Sequence, residues 1–284
     1  MFSNHHAILD GWSNPVLLAY VHTTYQALCN GTAVDESIDL SYESAQKYLQ
    51  THKSEHTRYW QSYIDKIEDK GDLNGLLSEE AKAKNLNIND YKQIKQPCKE
   101  SLLVTGRFYT RLKSLSQEEG VTLNAICQYV WHKLLSVYGG GQQTVVGTIV
   151  SGRNIPVDNI ERSVGLHINT LPFIIDHQNT EEETVIGGIK KVQRQINDIN
   201  SKSNISLSSL QQEGERLFNN LFVFENYPDP ESINNILQVT FKEGMEKLDY
   251  PLGVLVEEVN NTLKFTLQYA GELFDKKTIS GLLE

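Results

Sequence analysis

Cysteine is scarce in this chain. There are three in 284 residues, Cys29, Cys98 and Cys127, far apart and odd in number. None forms a CxxC pair, which argues against a disulfide frame and for a reducing compartment. Basic runs are missing as well. Lys and Arg number 26 against 36 Asp and Glu, for a net charge of −10 and a pI of about 5.3. Such a chain carries no electrostatic footprint for nucleic acid or for an anionic membrane surface. No apolar run approaches the length of a membrane span and nothing resembling a signal peptide opens the sequence, so the expected location is cytoplasmic. Internal repeats and low-complexity segments are absent. The Gly139–Gly141 run has no GxxxxGK around it and follows a helical pattern, so it reads as a helix stop and not a phosphate loop.

What is present is an ordinary globular composition, 39% hydrophobic and 22% charged, enough for one large domain or two modest ones. Residues 2 to 9 read as a short strand. A helix follows, with Ser13 as cap candidate, Pro15 in its first turn, Leu17, Leu18, Val21, Tyr25 and Leu28 on one face, and Asn30-Gly31 as its stop. A second helix is expected from Ser41 through Trp60, Ile64 and Ile67. Residues 68–100 are polar and weakly periodic and read as a connection with at most an edge element. From 101 the pattern alternates: a strand "SLLVT", a helix over 107–118, and a helix capped at Thr122 with Leu123, Ile126, Cys127, Val130, Leu134 and Val137 as its stripe. Buried strands are expected at 144–150, 167–175 and 219–227, a helix at 181–199, a hairpin around "NNT" and a last helix at the end. The class is α/β with a central sheet in the second half.

One stretch carries chemistry: "FSNHHAILDGWSN", residues 2–14. His5 and His6 are adjacent, Asp10 follows four residues later, and Gly11 permits close backbone approach. If the stretch is a strand, neighbouring side chains diverge and only one histidine faces a given cavity. Three readings of the residues stay open: a general base with a carboxylate fixing its surroundings, a metal site, or a strand end and helix start capped by polar groups. "HKSEH" at 52–56 fits H-x-x-E-H, yet five-letter patterns recur by chance and no third ligand is evident, so no bound metal is expected. His167 sits in an apolar strand, either lining a cavity or satisfied in the core.

"HHAILDG" resembles the HHxxxDG signature of condensation domains of nonribosomal peptide synthetases, shared across the chloramphenicol acetyltransferase-like superfamily. Further segments resemble the family in its order. "VSGRNIPVDNIERSVGLHINTLP" (150–172) is similar to the SGR and VGxFxNTLP segments, with His167 at the aromatic position. "LFNNLFVFENYP" (217–228) is similar to the family's FVFENYP strand, and "LKFTLQYAGELFDKKTISGLL" to its closing hairpin and helix. "SYESAQKYLQ" through "YWQSYI" (41–64) resembles a helix pair, with Ser44 where aspartate is common and Tyr48 where tryptophan is common. "KSNISLSSLQ" (202–211) keeps only the shape of its counterpart.

The resemblance implies an α+β sandwich of two lobes: a remnant of the N-terminal lobe at 1–67, a connection at 68–100 and a complete C-terminal lobe at 101–284. It implies peptide-bond formation between a donor acyl thioester and an acceptor aminoacyl amine, both on phosphopantetheine arms of peptidyl carrier proteins, with no cofactor bound directly and with adenylation domains as neighbours. His6 matches the catalytic position. His5, Asp10, Gly11 and Arg153 match supporting ones, with Arg153 expected to pair with Asp10. His167, Asn169 and Asn226 match channel positions. An epimerisation-type domain and a non-catalytic carrier-docking module are the alternatives; "DGWS" leans toward condensation. In the resembled family several elements precede the histidine motif. The expectation here is therefore an incomplete N-terminal lobe with an exposed apolar face, prone to self-association, and little activity from the chain alone.

Overall fold

The fold is seen in a computed structural model, which describes residues 5, 7–34, 36–68, 70–178, 184–211, 215–225 and 249–284. Two helices come first, α1 (Ser13–Asn30) and α2 (Ser41–Ile64). After a short α3 (Glu79–Ala83) and strand β1 (Pro97–Val104) come α4 (Gly106–Glu119), α5 (Leu123–Gly139), β2 (Gln143–Val150) and β3 (Asn169–Asp176). The chain continues through α6 (Val185–Ser201), α7 (Leu207–Leu210), β4 (Asn220–Glu225), β5 (Leu252–Val259), β6 (Thr262–Ala270) and α8 (Lys276–Leu283). The six strands form one mixed sheet in the order β1-β6-β5-β4-β2-β3. β4 runs parallel to both β2 and β5, and the other neighbours are antiparallel.

Local chemistry sets many of these boundaries. Thr122 accepts the Ala125 N–H and starts α5, Asp275 accepts the Thr278 N–H and starts α8, and Gly140 (φ 62°) ends α5. Asn260 and Asn261, both at positive φ, turn β5 into β6 as a two-residue hairpin loop. Among the described strands β4 and β5 are buried over their first three residues, and Phe222, Val254, Val256, Leu263 and Leu267 join the main core. Helices α4, α5 and α6 form a contiguous layer against β6, β2 and β3, and α8 packs on β1 and β6.

Helix α2 closes the far edge of the sheet. The Ile174 N–H of edge strand β3 donates to the Tyr63 hydroxyl (3.0 Å), so the open edge is capped by a side chain. Trp60, fully buried, donates its ring N–H to the Lys202 carbonyl (2.7 Å), and Asn204 donates to the Leu49 carbonyl (2.6 Å). A small second cluster of Ala45, Ile155 and Ile160 seats α2 on the loop after β2.

Three expectations are corrected. The strand at 2–9 is absent among the described residues. Ile8 N–H donates to the His5 carbonyl and Ala7 N–H to His5 Nδ1, so the backbone turns. On the α1 stripe, Leu17 and Leu18 are half-buried, while Val21, Tyr25 and Leu28 are exposed. The α5 stripe is buried as expected at Leu123, Ile126 and Cys127 and half-buried at Leu134, and differs elsewhere. Val130 and Val137 are exposed, and Gln128, Trp131, His132 and Leu135 are buried instead, because Thr148 and Thr144 on β2 and Asn220 on β4 supply polar partners. The stretch 68–100 is more structured than its polarity suggests. Asp72, Ser78 and Asn87 cap its short helices, and Leu73, Leu76, Leu77, Ala81 and Ile88 are buried in the main core. Its strand β1 begins at Pro97, four residues before the expected "SLLVT".

Candidate active site

The site is built where the segment after the histidines meets the loop after β2. Asp10 lies just before the turn into α1 and is 1% exposed. Arg153 follows Gly152, whose φ of +65° sends the chain back across His167. A Cβ on Gly152 would stand 2.0 Å from the His167 carbonyl oxygen, so both conformation and space demand glycine there.

Arg153 and Asp10 form a two-pronged pair: Nη1 donates to Oδ2 at 2.6 Å and Nη2 to Oδ1 at 3.1 Å. Arg153 Nη2 also donates to the Ser163 carbonyl (3.1 Å), and its guanidinium lies 5.8 Å from the centre of the Trp12 ring. The Trp12 ring N–H donates to the Glu161 carbonyl at 2.7 Å. Asp10 accepts three more hydrogen bonds, from the Ser13 N–H (3.0 Å), the Ser13 hydroxyl (2.7 Å) and the His167 N–H (3.1 Å). Burial alone would raise its pKa. The bonds from Arg153, Ser13 and His167 and the charge of Arg153 outweigh burial and hold the carboxyl below its ordinary range. The charged pair is fixed and solvated by protein groups. It joins the segment after the histidines to the loop after β2.

The sequence candidates fall as follows. Asp10, Arg153 and the backbone of His167 meet in one network, with Gly11 half-buried in the adjoining turn. His167 is 8% exposed and its Nε2 bonds the Ser163 hydroxyl at 3.0 Å, with Tyr42 edge-on to its ring. Burial, then the charge of Arg153, lowers its pKa to about 4, so it stands neutral. Asn169 commits its amide to the Ser203 and Ile205 carbonyls (2.8 and 2.5 Å), a brace between β3 and the segment after α6. His5 is exposed. His6 and Asn226 lie outside the described residues. On α2, His52 stacks on Tyr48 and bonds its carbonyl, and His56 is buried. Among the described residues no group of three or more His, Cys, Asp or Glu converges as a metal site would require.

Sequence reasoning took Ser13 for a helix cap, whereas its hydroxyl bonds Asp10 and Gly165, and it missed Ser163, Gly165 and Trp12. Gly165 is hemmed by the Tyr42 ring, 2.3 Å from where its Cβ would stand. The "DGWS" run was the available signal for Ser13 and Trp12. The contributions of Ser163 and Gly165 are largely backbone ones, for which no residue type is diagnostic.

With the fold and this network in view, comparison with known proteins is direct. The Condensation domain family model matches residues 1–284. The chain belongs to that family. It is 42% identical to N-(5-amino-5-carboxypentanoyl)-L-cysteinyl-D-valine synthase of Amycolatopsis lactamdurans over 100% of this chain, and spans 8% of that relative's length. Among solved structures, the first condensation domain of the calcium-dependent antibiotic synthetase, in complex with a substrate analogue, matches at a TM-score of 0.67 and 16% identity. That match covers 98% of this chain and 62% of the other. The epimerization domain from the third module of tyrocidine synthetase B matches with a TM-score of 0.67 at 14% identity, over 98% of this chain and 65% of that one. Both likenesses establish the shared chloramphenicol acetyltransferase-like fold.

Proposed function

We propose that the chain is a peptide-bond-forming domain of a nonribosomal peptide synthetase. A donor acyl group arrives as a thioester on the phosphopantetheine arm of one carrier protein, and an acceptor aminoacyl group on that of another. The acceptor nitrogen attacks the donor carbonyl. The tetrahedral intermediate collapses with loss of the donor arm's sulfur, which leaves as a thiol after protonation, while the nitrogen gives up its proton. His6 is assigned to the acceptor amine, where it takes up that proton or hydrogen-bonds the intermediate. Holding two tethered reactants together supplies much of the rate.

The observation that supports this reading is the buried Arg153–Asp10 pair, which ties the histidine segment to the loop after β2, 143 positions along the chain. Carrier proteins and adenylation domains are the partners in this reading. The relative's name points to the first substrates to load: 5-amino-5-carboxypentanoyl and aminoacyl thioesters. The test is to load donor and acceptor carriers, add the synthetase domain containing this chain in deuterated buffer, and follow carrier-bound products by mass spectrometry. A new peptidyl thioester is expected. Deuterium at the α-carbon of a single loaded carrier, with no peptide formed, would identify an epimerising enzyme. Neither product would indicate a docking module.

A further inference from the structure

Ser13 opens α1, where a serine hydroxyl ordinarily accepts an N–H of its own helix. Here Ser13 is the first helical residue, after Trp12 in the capping position, and its hydroxyl bonds groups outside α1. Its side chain is 0% exposed, a position in which a hydroxyl without partners is costly. Its partners all lie outside α1. It accepts from the Gly165 N–H at 3.0 Å and from Arg153 Nη2 at 3.4 Å, and its proton lies within reach of Asp10 Oδ1 (2.7 Å) and of the Gly165 carbonyl (2.8 Å). A hydroxyl has one donor and two acceptor sites, and all three are engaged. The carboxylate is the charged and nearer of the two acceptors, so it is the favoured one.

The terminal torsion of an aspartate is broad, so rotation of its carboxylate is set by its hydrogen bonds and not by its covalent preference. The hydroxyl reaches only Oδ1. With the Ser13 N–H and Arg153 Nη2 on the same oxygen, the hydroxyl bond helps leave Oδ2 facing Arg153 Nη1 and the His167 N–H. We infer that Ser13 is a positioning residue: its hydroxyl orients the Asp10 carboxylate toward Arg153 and locks the histidine segment to residues 163–167. Its effect on catalysis rests on the condensation reading; its effect on Asp10 does not.

The experiment uses the synthetase carrying this chain, with Ser13→Ala, Ser13→Cys and Ser13→Thr. Two quantities are read: amide exchange at His167 by mass spectrometry, and the single-turnover rate of peptidyl-thioester formation. His167 N–H donates to Asp10 and makes no bond to Ser13, so its exchange reports on the carboxylate, and exchange at the Gly165 N–H, which Ser13 does bond, is read beside it to separate loosening of that segment. In Ser13→Ala its exchange is expected to rise at least about tenfold, and the turnover rate to fall about 10–100-fold. Ser13→Thr, which keeps the hydroxyl, restores most of both. Ser13→Cys keeps the volume but only a weak donor and behaves like alanine, which decides the matter should the alanine variant not fold. Unchanged His167 exchange in a folded Ser13→Ala or Ser13→Cys variant overturns the inference, as does a turnover rate within about threefold of wild type. Absence of peptide from the wild type itself overturns the condensation reading, and the exchange data then still judge Ser13.

Discussion

Asp10 keeps its charge where a lone carboxylate would lose it. Removing either partner of a buried pair leaves the other uncompensated, so Asp10→Ala or Arg153→Ala is expected to cost roughly 3–5 kcal/mol in chemical denaturation. Arg153→Lys should recover little of this, since an ammonium cannot make the two-pronged contact. His132, buried, and His177, half-buried, give a second prediction. His132 bonds Thr144 at 2.6 Å and Thr144 bonds His177 at 2.9 Å. Burial leads in pushing His132 well below its usual pKa and His177 to about 4, as it does for His167. These groups are neutral when folded and take up protons more readily when unfolded. The stability they carry is intact above about pH 6.5 and lost as the pH falls toward 4. Denaturation midpoints at pH 7 and pH 5 should therefore differ, with pH 5 lower; equal midpoints would contradict the neutral, buried arrangement.

At the scale of elements, the turn after β2 and the edge at β3 are the sensitive places. Gly152→Ala places a methyl against the His167 carbonyl and strains a positive φ. Strain of that kind costs of order 1–3 kcal/mol before the clash is added, so a lower melting temperature is expected, with Gly139→Ala, at a negative φ and less crowded, as the milder comparison. The Thr122 cap, the Asn-Asn hairpin and the β-branched strands were legible in the sequence because each depends on local chemistry, whereas Ser13 and Ser41 begin their helices without capping them. The inward face of α5 was only half legible. A periodic pattern shows which side of a helix is apolar but not what covers it, and on α5 two polar residues are inside because β2 offers hydroxyls to them. The strand expected at 2–9 lies partly outside the described residues, and where residues 5 and 7–9 are described the backbone turns. Of the site, Asp10, Arg153 and Gly152 were reachable through the motifs, whereas the carbonyl of Ser163 and the N–H of His167 carry no residue signature.

Across the whole molecule, the main core runs from Trp60 and Tyr63 through Leu73 and Ile88 to the sheet and α8, so residues 68–100 share the core of the second half. The described residues contain no helix long and apolar enough to cross a membrane. On α1, Tyr20, Val21, Tyr25 and Leu28 form an exposed row at helical spacing. Such a row favours association of the isolated chain with a second copy. Its sedimentation coefficient is expected to rise with concentration, and Val21→Glu to suppress the rise; a constant monomer value would show that the row is too small to matter. The central claim is that the histidine segment held by Asp10 and Arg153 is where the peptide bond forms. The measurement that tests it most directly is the single-turnover rate of peptidyl-thioester formation in the synthetase carrying this chain, for His6→Ala beside His5→Ala. By family position, His6→Ala is expected to lose about 10²–10⁴-fold in rate while His5→Ala loses far less. Small and equal effects from the two substitutions would contradict the account.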